Sequence, residues 1–354
     1  MAVPKYREIS EKLAREIRSG KYKNGQKFPS EAALVKKFGA SRITVGHAVR
    51  ELQQSGLLDR VAGSGTYVRA AGIRDRAGLL FGLVIPNLGE TEIFEPICQA
   101  IAGAPEAAGH GLLWPQADPE VEKLCRQCIE RKVDGVFFAP LELSERSTEV
   151  NRRVMKMLAQ AGIPVILLDR QAGAQSGQRC DLVGIDNHRA GYLAAEHLLQ
   201  VGARRIGFLA YNNQAGTVAE RIRGYSDLTG MSEIFRVDSG ERIALPDGVL
   251  RCDALVCAND RIAGQSMHAL IARGARVPQD MRIVGIDDVN YATLLPVPLT
   301  TVHQPCRDIG ETALRMMLDR LERPKMPARQ VLLDCHLVVR ESCGANSLGL
   351  PASL

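Results

Sequence analysis

No stretch of this 354-residue chain approaches the roughly 20 consecutive apolar residues that a membrane-spanning helix needs. The N-terminal run Met1-Ala2-Val3-Pro4-Lys5-Tyr6-Arg7 also lacks the apolar core of a secretory signal, so a cytoplasmic location and no membrane partner are expected. The nine cysteines are odd in number and scattered, which argues against a disulfide framework. Cys125-x-x-Cys128 has metal-ligand spacing, but no second Cys or His pair lies nearby to complete a four-ligand zinc site. No metal and no cofactor are therefore expected. A P-loop, a Gly-x-Ser-x-Gly elbow and a His-Glu-x-x-His helix are all missing. Between Ile85 and Val297 the only lysines are Lys123, Lys132 and Lys156, and none sits in the small-residue setting of a Schiff-base lysine. These absences set enzyme chemistry aside.

The composition, 45% hydrophobic and 24% charged, is that of an ordinary globular chain with room for two or three domains. Its charge is uneven. Residues 1–69 hold 14 Lys and Arg against 6 Asp and Glu, whereas the remainder holds 31 against 34. A basic module on a faintly acidic body suits attraction to phosphate, leaving the body to other partners.

Within that basic segment the pattern is specific. Ile9, Leu13 and Ile17 recur at helical spacing from Lys5 onward, and Gly20 ends the run. Pro29-Ser30-Glu31 opens a second helix with Ser30 as N-cap, which Phe38-Gly39 closes. Ser41 caps a third, whose Val45, Ala48, Val49 and Leu52 face inward and whose left-handed terminator is expected at Gly56. Two short strands, 57–61 and 66–69, then flank the tip Gly63-Ser64-Gly65-Thr66. Three helices and a hairpin in this order predict a winged helix-turn-helix, which places its third helix in the DNA major groove.

From Leu79 the pattern alternates strands with helices after a linker at 70–78. Strands are expected at 79–86, 111–115, 135–139, 165–169, 182–186, 206–211, 254–258 and 283–287. Helices are expected at 94–108, 119–132, 148–161, 188–200, 218–228 and 262–273. Apolar strands alternating with helices predict α/β parallel sheets covered on both faces, with ligands beyond the carboxyl ends of the strands. Several of those ends are polar: Asn87, Asp169, Asp186, Asn212 and Asn259-Asp260. A ligand cleft follows.

Two resemblances are then specific. Phe28-Pro29-Ser30-Glu31, Ser41-Arg42-x-Thr44-Val45, Gly56-Leu57-Leu58 and Gly63-x-Gly65-Thr66-x-Val68 resemble the GntR-type winged helix. The effector domain of the LacI family, related to periplasmic sugar-binding proteins, is resembled by Val133-Asp134-Gly135-Val136, Pro164–Arg170, Val183-x-Ile185-Asp186-Asn187 and Ala194–Gly202. The match continues through Arg221-x-x-Gly224-Tyr225, Ala258-Asn259-Asp260, Val284–Asp288 and Leu299–Pro305. The resemblance implies a two-lobed, periplasmic-binding-protein-like body at 79–342, a short tail at 343–354, and a hybrid regulator that is not an enzyme.

It also implies roles. Ser30, Glu31, Ser41, Arg42, Thr44, Gly46, His47, Arg50, Gly63, Ser64, Gly65 and Thr66 would lie along operator DNA. Phe94 would stack on a small-molecule effector, a sugar or sugar derivative, and Asp169, Arg221, Asp260 and Gln304 would hydrogen-bond its hydroxyls. Arg221 could equally make a structural ion pair, and Asp260 could cap the following helix. A palindromic operator implies a homodimer. Gly46 departs from the family, which commonly has Arg there. The stretch from Tyr225 to Asn259 is also short and lacks a helical period at 236–252. One lobe is thus expected to lack a covering helix, and a body serving only dimerisation stands as the alternative.

Overall fold

A computed structural model of the chain describes residues 5–18, 21–22, 25–54, 57–61, 64–68, 78–86, 92–114, 120–141, 145–173, 180–212, 216–230 and 233–345. The chain divides into two units, Met1–Leu79 with Leu321–Pro324 and Leu80–Arg320 with Lys325–Leu354. The expected positions Gly56, Gly63, Asn87, most of the 70–78 linker and all of 346–354 lie outside the described residues.

The smaller unit contains α1 (Lys5–Arg18), α2 (Glu31–Phe38), α3 (Arg42–Gln54) and a hairpin of β1 (Leu58–Val61) and β2 (Gly65–Val68). Its helix starts follow from the local chemistry of their caps. Ser30 Oγ accepts from the Ala33 amide at 3.3 Å, and Ser41 Oγ accepts from the Thr44 amide at 3.2 Å. Gly39 closes α2 at φ 56°, where its amide reaches the Val35 carbonyl. Leu13, Leu34, Val45 and Ala48 are fully enclosed, so the inward faces read from the sequence form one core.

The larger unit has two six-stranded sheets. The first joins β3 (Leu80–Val84), β4 (Gly111–Leu113), β5 (Gly135–Phe138), β6 (Val165–Leu168), β7 (Asp181–Ile185) and β13 (Gln330–Leu333) in the order β13-β7-β6-β5-β3-β4, all parallel. The second joins β8 (Ile206–Tyr211), β9 (Ile234–Val237), β10 (Ala254–Cys257), β11 (Arg282–Asp287), β12 (Thr300–His303) and β14 (His336–Val338) in the order β14-β12-β11-β10-β8-β9, with β14 alone antiparallel. The helices are α4 (Phe94–Gly103), α5 (Val121–Glu130), α6 (Glu145–Gln160), α7 (Asn187–Gln200), α8 (Gly216–Thr229), α9 (Asp260–Ala272) and α10 (Cys306–Glu322). The helix expected over 94–108 stops early because Pro105 cannot continue it, and a 3-10 turn at Pro105–Ala107 follows.

The chain passes between the sheets three times, after β7, after β12 and after β13. The first passage ends at α7, which packs on the second sheet. After the second, α10 returns to the first sheet. A Cβ on Gly310 would meet the Ile97 carbonyl of α4 at 2.4 Å, and Met317 lies over Gly135 of β5.

The short stretch after α8 carries strand β9 and then no α-helix before β10, only a 3-10 turn at Asp247–Arg251. Ile243, Leu245 and Val249 nevertheless enter the core. Packing also runs past the boundary expected at 342: Cys343 and Ala345 are fully buried. Cys125 and Cys128 stand inside the first lobe, where burial pushes their thiols up to about 11 and about 12.

Candidate functional sites

In the smaller unit the outward side of α3 carries Arg42, Ile43, His47 and Arg50, all exposed, with Thr44 and Gly46 half-buried between them. Arg42 Nε lies 3.9 Å from Glu31 Oε2, a loose and largely solvated ion pair. Arg50 folds back so that its Nε donates to the Gly46 carbonyl at 3.2 Å, and the His47 ring lies 4.8 Å from that of Tyr6. In the hairpin, Ser64 Oγ and Tyr67 Oη are 2.6 Å apart. β2 also pairs with 25–28 on its other side: Phe28 N donates to Thr66 O and Val68 N to Gln26 O, both at 2.8 Å. Gly65 has φ 130°, and a Cβ there would meet Lys27 at 2.8 Å, so this wing position needs glycine.

In the larger unit four of the five expected effector residues gather near the strand ends. Arg221, on α8, donates from Nε to Asn187 Oδ1 at 2.8 Å and from Nη1 to the Ala258 carbonyl at 2.6 Å. Its Nη1 also lies 3.5 Å from Asp287 Oδ1, so the ion-pair alternative is realised. Gln304 Nε2 donates to the same Asp287 oxygen at 2.6 Å. Asp169 follows β6 and accepts from Arg170 Nε at 2.9 Å, and the Arg170 guanidinium lies 5.7 Å from the centre of the Phe94 ring. Asp169 Oδ1 and Gln304 Oε1 are buried acceptors with no donor among the described residues.

The backbone is bent to make this arrangement. Asp169 (φ 67°), Asp287 (φ 135°) and Asp288 (φ 58°) all adopt left-handed conformations, which cost free energy in non-glycine residues and persist where surroundings enforce them. Burial drives the Asp287 carboxyl well above the usual carboxylate range, and the positive charge of Arg221 only partly offsets this. Next to it, burial is outweighed at Asp288 by hydrogen bonds from His303 and Arg340, which hold its carboxyl low.

Asp260 corrects the expectation made for it. It is fully enclosed, and both oxygens are taken by the protein: Thr301 Oγ1 donates to Oδ1 at 2.6 Å and the Val289 amide to Oδ2 at 3.0 Å. Asn259, not Asp260, caps α9. Asp260 thus braces the turn after Asp287 from beneath. A Cβ on Gly285 would come 2.2 Å from its Oδ1. Two other polar strand ends also serve the fold: Asp186 caps α7, and Asn212 Nδ2 donates to Asp238 Oδ1 at 2.6 Å.

Asp287, Arg170 and Asn187 were not singled out from the sequence, although each lies inside a quoted motif. Tyr291 Oη donates to Glu92 Oε1 at 3.3 Å, linking a residue after β11 to one before α4. Apart from its place near Asp288, nothing in the sequence marks that pair.

Residues 5–68 match the bacterial regulatory proteins of the gntR family. Residues 80–239 match the periplasmic binding proteins and sugar binding domain of the LacI family, and 195–343 a periplasmic binding protein-like domain. The chain is 26% identical over 363 residues to an arabinose metabolism transcriptional repressor of Geobacillus stearothermophilus, covering 96% of this chain and 98% of that one. It is 26% identical to a ribose operon repressor of Halalkalibacterium halodurans over 76% of this chain and 81% of the relative. The transcription regulator GntR of Chromobacterium violaceum, a crystal structure, superposes with a TM-score of 0.60 at 28% identity, covering 75% of this chain and 99% of that one. Among the described residues no helix is long and apolar enough to cross a membrane. The chain carries a GntR-family head on a periplasmic-binding-protein-like body of the LacI family, the makeup of a transcriptional regulator.

Proposed function

We propose that this chain is a repressor that grips a palindromic operator as a homodimer through α3 and the β1–β2 wing, and that a sugar bound between the lobes changes that grip. The observation that carries the effector half is the pair of buried acceptors, Asp169 Oδ1 and Gln304 Oε1, beside the Arg221–Asp287 pair. Buried polar atoms in folded proteins are mostly satisfied by protein or water, and a donor-bearing ligand would satisfy these two. A polyol supplies hydroxyl protons to them, while its oxygens accept from Arg221. Phe94, whose ring lies under the Arg170 guanidinium, would pack against the sugar's C–H surface. The arabinose and ribose repressors among the relatives support the same class. Closure of the lobes on the ligand would bias the dimer by a coupling of about 1–3 kcal/mol.

The test is a thermal-shift screen of the full chain against pentoses, hexoses, their phosphates and nucleosides. Ligand at 100 times its Kd stabilises by about 2.7 kcal/mol, a shift of several degrees at most. A hit that also weakens or strengthens duplex binding supports the proposal. No response to any of these, together with a monomer on removal of residues 79–354, favours the dimerisation reading. The buried Ile243, Leu245 and Val249 argue against it, since they add to the core of the second lobe where a covering helix is missing.

A further inference from the structure

Ile43 is out of place for a folding residue. Its exposure is 79%, whereas Ile9, Leu13, Ile17, Leu34, Val45, Val49 and Leu52 of the same three helices are buried. A β-branched side chain in the first turn of a helix gains nothing in helix propensity over its straight-chain alternatives. Neither packing nor local conformation accounts for it.

Its neighbours define a surface. Residues three and four apart share a helix face, so Ile43 stands with Gly46 and His47, and Gly46 in turn with Arg50. Gly46 is not required by packing, because a Cβ there would meet only Glu31 Oε2, at 3.9 Å. The result is an apolar knob beside a gap, set among the exposed cations Arg42 and Arg50. In a recognition helix the N-terminal residues are the ones that reach base edges. The one apolar group that a base pair presents in the major groove is the thymine 5-methyl, and apolar side chains read it. The surrounding positive charge matches the phosphates on either side.

We infer that Ile43 is a specificity-determining residue that recognises the 5-methyl group of a thymine in each half-site, with Gly46 leaving room for the base edge to approach. This rests on the DNA-binding reading above and adds to it a particular base.

The test begins with selection by the full chain from a random duplex library, followed by anisotropy titrations of the enriched duplex. Each thymine is replaced in turn by deoxyuridine, which removes the methyl and nothing else. At one thymine per half-site, affinity should fall about fourfold, the equivalent of about 0.8 kcal/mol for one buried methyl-sized group at 1.4 kcal/mol per tenfold. Ile43→Ala should bind the thymine and deoxyuridine duplexes equally, and Ile43→Val should keep part of the discrimination. Melting of both variants checks that the exposed change leaves the fold intact. Indifference of the wild type to every substitution overturns the inference, as does an undiminished penalty in Ile43→Ala. If selection enriches no duplex, the DNA-binding reading falls and this inference with it.

Discussion

Arg221 Nη1 and Asp287 Oδ1 face each other at 3.5 Å, yet the carboxyl is held above its ordinary range. The pair is nearly sealed from solvent, and taking a carboxylate out of water costs more than one imperfectly placed guanidinium returns. Asn187 and Gln304, which flank two of the three passages between the sheets, hold the pair in position. The buried pair is therefore tied to two of the segments that join the sheets.

A pH dependence follows from Asp287. With its folded value raised, the folded chain keeps a proton that the unfolded chain has released. Stability is then fully present below the unfolded carboxylate value, near 4, and falls as pH rises toward the folded value. Asp260, also raised by burial, acts in the same direction. Thermal melts of the larger unit between pH 5 and 8 (in steps of about half a unit) should decline with pH. Asp287→Asn should flatten that decline. An unchanged slope in the variant would refute the assignment.

Arg221→Lys should fold, because a cation remains opposite Asp287, but it loses the planar fork that serves Asn187 and Ala258 together. Calorimetric affinity for the sugar identified by screening should drop at least about tenfold, the worth of about 1.5 kcal/mol in a buried charged hydrogen bond. Duplex affinity without sugar should stay within about twofold, since the change lies in the other unit. Wild-type sugar affinity in the variant would remove Arg221 from the site.

Gly191→Ala should destabilise the larger unit. Its Cβ would sit 1.9 Å from the Arg221 carbonyl, and the reciprocal Gly224 position would sit 1.9 Å from the His188 carbonyl. Helices α7 and α8 would have to separate, at a cost of about 1–3 kcal/mol or more for an overpacked contact. Once the helices are apart, Gly224→Ala should cost less than it does alone, so the two changes are non-additive. Urea melts of the single and double variants measure this. Additive costs would show that the two positions do not share one contact.

Arg42→Ala should weaken binding to the selected duplex by about 1–3 kcal/mol and relax the preference at one base pair per half-site if the guanidinium meets a base. A loss of equal size on random duplex, with a shallower salt dependence, would make Arg42 a phosphate contact instead. Its side chain is 86% exposed and only loosely paired with Glu31, so little folding free energy is at stake.

The smaller unit was legible because its signals are local. Ser30, Ser41 and Gly39 act within a few residues of themselves, and the inward face of α3 follows from a period. The larger site was legible only in outline. A polar residue after a strand caps the next helix or points into a cleft, and the same residue types do both. Asp186 and Asn259 cap, Asp169 points inward, and Asp260 is consumed by Thr301 and Val289. What separates them is burial and partnership at long sequence range, which spacing does not encode. Strands β9, β12, β13 and β14 and helix α10 went unread. The strands have three or four residues each, and β13 alternates exposed with half-buried positions at a sheet edge.

The stretch between β9 and β10 has lost the self-sufficiency a helix would give it. Its carbonyls are held from outside, Gly240 and Glu241 by the amide of Gln265 on α9 and Leu245 by Arg273, the residue that caps the end of α9. Of its own backbone bonds, the 3-10 turn supplies Val249 to Pro246 and Cys252 to Val249. A segment secured this way opens when its neighbour's side chains let go, without the second sheet unfolding. Its amide protons should exchange with solvent ahead of those in β10 and α9 on either side, making it the seam at which this lobe first comes apart.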